Sequence, residues 1–400
     1  MKSISENGKN FNLLASEEVN KIKGCQPLDN NNSKNGTFLN CTDIYVLQKS
    51  MQDWFYKSSK FYDDYSSLKQ CGSLINRKNV QIKMGKDSKA FFHGYMTCNN
   101  NWLCPVCSKR IAYLRGLEVL KAGQWALANG YSLAMITLTN QHTRRMLPEL
   151  CVDIQLSALK LFRVKAKRWL NEVSIGRITG NEILHGENGC HFHSHILLIL
   201  KNGCTISADL EKKLRCAWAD SLIKSGLKGS SVKVLSKKAM DIQLDCSVSS
   251  YISKWGVDKE ITASGSKQGH GISLFEVFAS GDYSTFFKYA MAFSPKRNRS
   301  IHQQIYKLRW SYKLKELVGL KSYNDSEIQE DYAKESILVA VIGADAWEYI
   351  CENNLKKAVL EAVEHGGYEE LMSMLYCHGI ELNCFSEFSV KNYLSMKEGR

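Results

Sequence analysis

The chain has 400 residues, 44% hydrophobic and 23% charged, the balance of a globular protein long enough for two or three domains. No apolar run reaches membrane-spanning length, and Met1 to Asn10 lack the apolar core of a secretory signal, so a cytoplasmic protein with no membrane partner is expected. A net charge of +13 calls for a polyanionic partner, nucleic acid foremost, and the 14 cysteines of such a chain point to reduced thiols and metal ligation rather than a disulfide framework.

Residues 1–66 are polar and rich in Asn, Ser and Lys, with Asn30-Asn31-Asn32-Ser33-Lys34-Asn35-Gly36 as a linker, and are expected to be largely disordered. Residues 67–112 form a cysteine-rich segment. In Cys98-Asn-Asn-Asn-Trp-Leu-Cys104-Pro-Val-Cys107 the Cys-Pro-x-Cys turn aims two thiolates at one point and Cys98 supplies a third. A closed structural Zn²⁺ site needs a fourth ligand; Cys71, followed by Gly72, is the first choice and His93 the second. Cys25, Cys41, Cys151, Cys190, Cys204, Cys216, Cys246, Cys351, Cys377 and Cys384 show no ligand spacing and read as small hydrophobes.

Ser108-Lys109-Arg110 opens a helix running through Leu120, ahead of a domain expected over residues 113–270. Ser132–Thr139 is apolar on both faces and reads as a central strand. From about Pro148 to Glu172 a helix carries Val152, Leu159, Phe162, Ala166 and Trp169 as its apolar stripe. Lys160, Arg163, Lys167 and Arg168 lie roughly opposite, either as a solvated face or as one that tracks phosphates.

Residues 177–185 and the run from His191 read as two strands joined by Gly186-Glu187-Asn188-Gly189, a hairpin. Period-two spacing sends His191, His193 and His195 to one face. If His185 pairs with Cys190, Leu184 faces His191, Ile183 faces Phe192 and Glu182 lies opposite His193; a one-residue slip would send Glu182 to the other face. Glu182, His193 and His195 are the expected metal ligands, with His191 as an outer member or orienting group. Imidazole plus carboxylate suits Mn²⁺, Co²⁺, Zn²⁺ or, less naturally, Mg²⁺.

A helix follows near Ser207–Ser225, then strands at Ser231–Leu235 and Met240–Asp245, then a short helix from near Ser247. In helical geometry Tyr251 and Lys254 share a face, so a phenol and an ammonium can address one phosphate. Residues 271–400 read as a mainly helical C-terminal region, with helices over Phe275–Ala292, Glu335–Ile342, Trp347–Glu364 and Glu369–Cys377, and a basic loop at Ser294-Pro295-Lys296-Arg297-Asn298-Arg299. The expected fold is α+β: a central antiparallel sheet with flanking helices, an N-terminal zinc-binding segment and a helical C-terminal region.

Ile136-Thr-Leu-Thr139, then Gly189-Cys-His191-Phe-His193-Ser-His195-Ile-Leu-Leu, then Tyr251-x-x-Lys254 resemble the three ordered motifs of the HUH endonucleases. The match is nearest to the plasmid rolling-circle replication initiators (Rep). The Cys71-Gly72 and Cys98…Cys107 block and Leu308-Arg-Trp-Ser311 resemble further segments of that family, and the likeness covers roughly residues 67–320. It implies an HUH-type sheet, a divalent metal (Mn²⁺ or Mg²⁺) on the histidine motif, and Tyr251 as the nucleophile that nicks one strand of plasmid origin DNA. A 5′-phosphotyrosine and a 3′-hydroxyl primer result, with Lys254 assisting, and the partners implied are single-stranded or supercoiled origin DNA, a host helicase and a DNA polymerase, with a homo-oligomer as a further expectation.

Two positions depart from the family. Ser194 stands where a bulky hydrophobic residue is usual, but it points to the face opposite the histidines, so ligation should survive. Ser247 stands where some members carry a glutamate that ends replication; Asp245 or Glu260 would have to substitute, or a further tyrosine transfer. Rival readings are an HUH transposase, a relaxase (disfavoured because its histidines usually follow its tyrosine) and a non-enzymatic zinc-dependent DNA-binding protein.

Overall fold

The computed structural model describes residues 43–58, 64–76, 79–246, 271–294, 308–311 and 313–380. Its first element, α1 (Ile44–Lys57), is capped by Asp43, whose carboxylate accepts the Tyr45 N–H at 2.7 Å. Leu47, Met51, Trp54 and Phe55 recur at helical spacing and are buried, so the stretch expected to be disordered through residue 66 contains an anchored helix. Composition misled there because one amphipathic helix sits inside a polar region.

A single turn, α2 (Ser66–Lys69), leads to β1 (Val80–Met84) and β2 (Ala90–His93). The long α3 (Pro105–Ala128) opens on a proline, where a missing N–H costs nothing. There follow β3 (Ser132–Thr139), α4 (Pro148–Val173), β4 (Ser174–Gly186), β5 (Gly189–Leu200), α5 (Ala208–Lys224), α6 (Val232–Lys238) and β6 (Met240–Gln243). The C-terminal part supplies α7 (Leu274–Ala279), α8 (Tyr283–Phe293), β7 (Leu308–Trp310), α9 (Leu314–Leu317), α10 (Asp325–Lys334), β8 (Ile337–Ile342), α11 (Ala344–Glu352) and α12 (Lys356–Cys377).

The architecture is α+β. Five strands make one antiparallel sheet in the order β6-β3-β5-β4-β7, and three make a second in the order β2-β1-β8. Alternation along β5 decides what covers each face of the larger sheet. Ile196, Leu198 and Leu200 pack with Ala134 and Ile136 of β3 against α4 and α5. Leu197 and Ile199, of the opposite parity, pack with Leu133, Met135 and Ile178 against Val119, Ala122 and Ala126 of α3. By that parity His191, His193 and His195 belong to the α3 face, and so do Thr137 and Thr139 of β3, Glu182 of β4 and Asp241 of β6.

The helix expected over Phe275–Ala292 is two, α7 and α8, and that over Trp347–Glu364 is broken between α11 and α12. Two runs change type. Ser231–Leu235 is not a strand: the Ser231 side chain accepts the Val234 N–H and caps α6, so its Val-Lys-Val alternation is the start of a short helix. Glu335–Ile342 is not a helix: Ile337–Ile342 is strand β8, paired antiparallel with β1. A short apolar run cannot distinguish the two by periodicity, and its partner lies far away in the chain. Behind this smaller sheet Val80, Ile82, Phe92, Ala340 and Ile342 share a core with Trp347, Val359 and Leu371. Among the described residues no helix is long and apolar enough to cross a membrane.

Candidate metal centre

The β4–β5 hairpin has the register expected from its turn. His185 pairs with Cys190, Leu184 with His191, Ile183 with Phe192 and Glu182 with His193. Gly189 turns the chain at φ +88°, a conformation that favours glycine, and a Cβ there would stand only 3.3 Å from the Thr143 carbonyl oxygen. This register gathers Glu182, His193 and His195, whose donor atoms all lie within 4.8 Å of one another, into a group that could hold a metal ion.

Support for the group comes from neighbouring strands. Nε2 of His195 faces Oε2 of Glu182 at 3.3 Å, while its Nδ1 lies 3.1 Å from the Thr137 hydroxyl. His195 is 4% exposed, but the Glu182 side chain is 26% exposed, so the group is buried on one side and open on the other. His191 stands outside the three: its ring centroid is 4.1 Å from that of His193 and 4.5 Å from that of His142. His142, on the loop after β3, donates from Nδ1 to the Asn140 carbonyl at 3.3 Å. Nothing in the spacing around His142 singles it out in the chain.

Beneath the histidines the buried face is polar at one point. Ser194 is fully buried, accepts from Nε2 of Gln155 at 3.1 Å and donates to Oδ1 of Asn181 at 2.7 Å. It does point away from the histidine face, and its hydroxyl is satisfied there. Gln155 also donates to the Leu138 carbonyl, so one side chain of α4 ties β3 to the hairpin.

A second group is made by Cys71, Cys98, Cys104 and Cys107. Sulfur separations are 3.6 Å for Cys71–Cys107, 3.7 Å for Cys98–Cys107 and 3.8 Å for Cys71–Cys104. Four thiolates held tetrahedrally about 2.3 Å from one centre stand ~3.8 Å apart, so the spacing fits a single ion. Backbone N–H groups of Cys98 and Asn100 point at Cys71 and Cys98 sulfurs, both at 3.4 Å, and Gln48 of α1 reaches Cys104 at 3.4 Å. Thiol contacts from Cys104, Cys107 and Cys98 hold the Cys71 thiol far below the ordinary range, whereas burial pushes Cys104 well above it. His93, the second choice for fourth ligand, meets Glu330 at 3.2 Å instead.

Lys160, Arg163, Lys167 and Arg168 project from α4, whose apolar stripe covers the opposite face of the sheet from Glu182 and the histidines. Arg168 pairs there with Glu172, and Arg163 donates to the Leu159 carbonyl. Asp245, exposed and at φ +50°, follows β6. Tyr251, Lys254, Ser247 and Glu260 lie outside the described residues, as do Pro295 to Arg299. Leu308–Trp310 is the edge strand of the sheet, with Trp310 opposite Ile178.

No family model matches the chain, and no curated protein or solved structure matches it either.

Proposed function

We propose that the chain is a metal-dependent DNA strand transferase of the HUH kind, acting as a plasmid rolling-circle replication initiator. The observation that carries this reading is the contrast between two metal-competent groups in one chain. Four clustered cysteines, three buried and Cys98 half-buried, suit a closed structural site and fit Zn²⁺, whereas one carboxylate and two imidazoles open on one side suit a site with coordination positions left for substrate. A non-enzymatic zinc-dependent DNA-binding protein accounts for the first group and leaves the second without a use.

Glu182, His193 and His195 would hold Mn²⁺ or Mg²⁺, which when bound supplies Lewis-acid polarisation of a phosphodiester oxygen. Tyr251 is the proposed nucleophile. A phenol ordinarily titrates near ~10, and the Lys254 ammonium favours its phenolate. The phenolate oxygen attacks phosphorus, the bond to the 3′-oxygen breaks, and that oxygen leaves as a 3′-hydroxyl after taking a proton. The 5′-phosphotyrosine keeps the ester energy for rejoining, and the 3′-hydroxyl suits a host polymerase working with a helicase.

The test is a denaturing gel of the full chain with Mn²⁺ and 3′-labelled single-stranded DNA of randomised sequence. A labelled covalent adduct is expected with the wild type and absent in Tyr251→Phe. Adduct formation by Tyr251→Phe misassigns the nucleophile, and nicking that survives His195→Ala removes the metal group from the reaction.

A further inference from the structure

The loop that joins β3 to α4 lies against the tip of the metal hairpin. The His142 ring lies against that of His191, tilted 46° to it at a centroid distance of 4.5 Å. One residue on, the Thr143 carbonyl oxygen and the Arg144 Cα stand 3.3 and 3.4 Å from where a Cβ on Gly189 would be. Loop and hairpin therefore approach each other closely at Gly189, where there is no room to spare for a side chain. Met146 N–H closes a turn onto the Thr143 carbonyl at 2.9 Å, which leaves Arg144 and Arg145 at its corner. Both are exposed. The charge of Arg144 reaches the hairpin: burial lowers the pKa of His185, and Lys288 of α8 and Arg144 add to that, against Asp282, whose carboxylate caps α8.

From these positions we infer that Arg144 and Arg145, on a loop anchored by the His142–His191 ring contact, form the phosphate-gripping rim of the metal face, and that the occupant is the backbone of single-stranded nucleic acid. The inference rests on the nucleic-acid reading above and says where the strand runs. Three points carry it. The two guanidinium groups stand on the residues that follow His142, whose ring begins the chain of imidazoles leading to His193 and His195. Residues 140–148 contain no acid, so the only formal charges of the loop are these two cations; Glu187 in the hairpin turn offsets part of them from across the contact. Guanidinium forks match phosphate oxygens in pairs, which suits a strand that must be held in register while one phosphate is attacked. The cationic row of α4, by contrast, has the sheet between it and Glu182.

The experiment is fluorescence anisotropy of the full chain with a labelled oligothymidylate, read as a function of salt. Each phosphate contact released lowers the slope of log K against log[salt] by about 0.7 for a single strand, so replacing both arginines should lower it by about 1.4. Arg144→Ala with Arg145→Ala is expected to show that drop with unchanged thermal unfolding, and Arg144→Lys with Arg145→Lys to keep the wild-type slope. Salt-dependent binding by the wild type that the alanine pair leaves untouched overturns the inference while the nucleic-acid reading stands. A drop seen only when Lys160, Lys167 and Arg168 are replaced by alanine overturns it in favour of α4. Absence of salt-dependent binding by the wild type removes the reading itself and the inference with it.

Discussion

The Thr137 hydroxyl sits 3.1 Å from Nδ1 of His195, on the side of the ring away from Glu182. If Nε2 is the ligating atom it must carry a lone pair, so Nδ1 carries the proton and donates it to Thr137. The hydroxyl thereby selects the tautomer and fixes the ring. Thr137→Val keeps the shape and removes the acceptor. Mn²⁺ affinity, read by calorimetry, should fall about 10- to 100-fold, and Thr137→Ser should restore it. Equal affinity in the valine variant would show that the ring is held by packing alone.

Ser194 links Gln155 of α4 to Asn181 of β4 in a fully buried position. Ser194→Ala leaves two buried amides short of a partner, at a cost of about 1–3 kcal/mol. Denaturant unfolding should show that loss as a lower midpoint with the slope preserved. Because the same contacts pin β5 against β4, metal affinity should decline as well.

The four-cysteine group lies within the core that also contains Trp54, Phe55, Phe286 and Phe293. If the group holds Zn²⁺, its removal leaves four thiols packed together, and Cys107→Ser takes away one of the four donors. Either change should cost more than about 4 kcal/mol. Chelation should lower the thermal midpoint and release bound zinc, measured colorimetrically, with release favoured in acid because the ligand form is the thiolate. A chain that keeps its midpoint after complete zinc removal would show that the thiols act only as hydrophobes.

His185 faces away from the metal group, with Nδ1 3.1 Å from the Tyr289 hydroxyl. Burial lowers its pKa; Asp282 opposes this, while Lys288 and Arg144 add to it. The folded ring therefore binds a proton less readily than the unfolded one, whose value is near ~6.5. Its stabilising contribution is complete above that value and is lost as pH falls through it toward the lower folded value. His185→Gln keeps a polar partner for Tyr289 without a titrating ring. The thermal midpoint of this variant should depend less on pH between neutrality and mild acid than that of the wild type, and equal dependence would place the acid sensitivity elsewhere.

The hairpin and its register were legible because a turn-forming tetrapeptide and strict alternation meet at one place, and parity then forces Glu182 onto the histidine face. The Cys-Pro-x-Cys turn was legible for a similar reason: its ligands are close in sequence. Thr137, Gln48 and His142 were not, since each acts from a different element and only pairing across strands or helix docking brings it near its partner. Strand β8 reads as a helix in the sequence because what makes it a strand is β1, more than 250 residues earlier in the chain. Helix α1 was hidden by the composition around it.

That pairing of β1 with β8 sets an order of events in synthesis. When β1 leaves the ribosome it has β2 for one neighbour, but its other edge waits for a strand not yet translated; at 5–20 residues per second the wait is roughly ten to fifty seconds. Trp347, from the helix after β8, also gives its indole N–H to the Gly72 carbonyl next to Cys71. The nascent cysteine block is thus completed from the far end of the chain. A chain stopped near residue 320 would carry every motif of the proposed nicking reaction and still present an open strand edge, a template for aggregation.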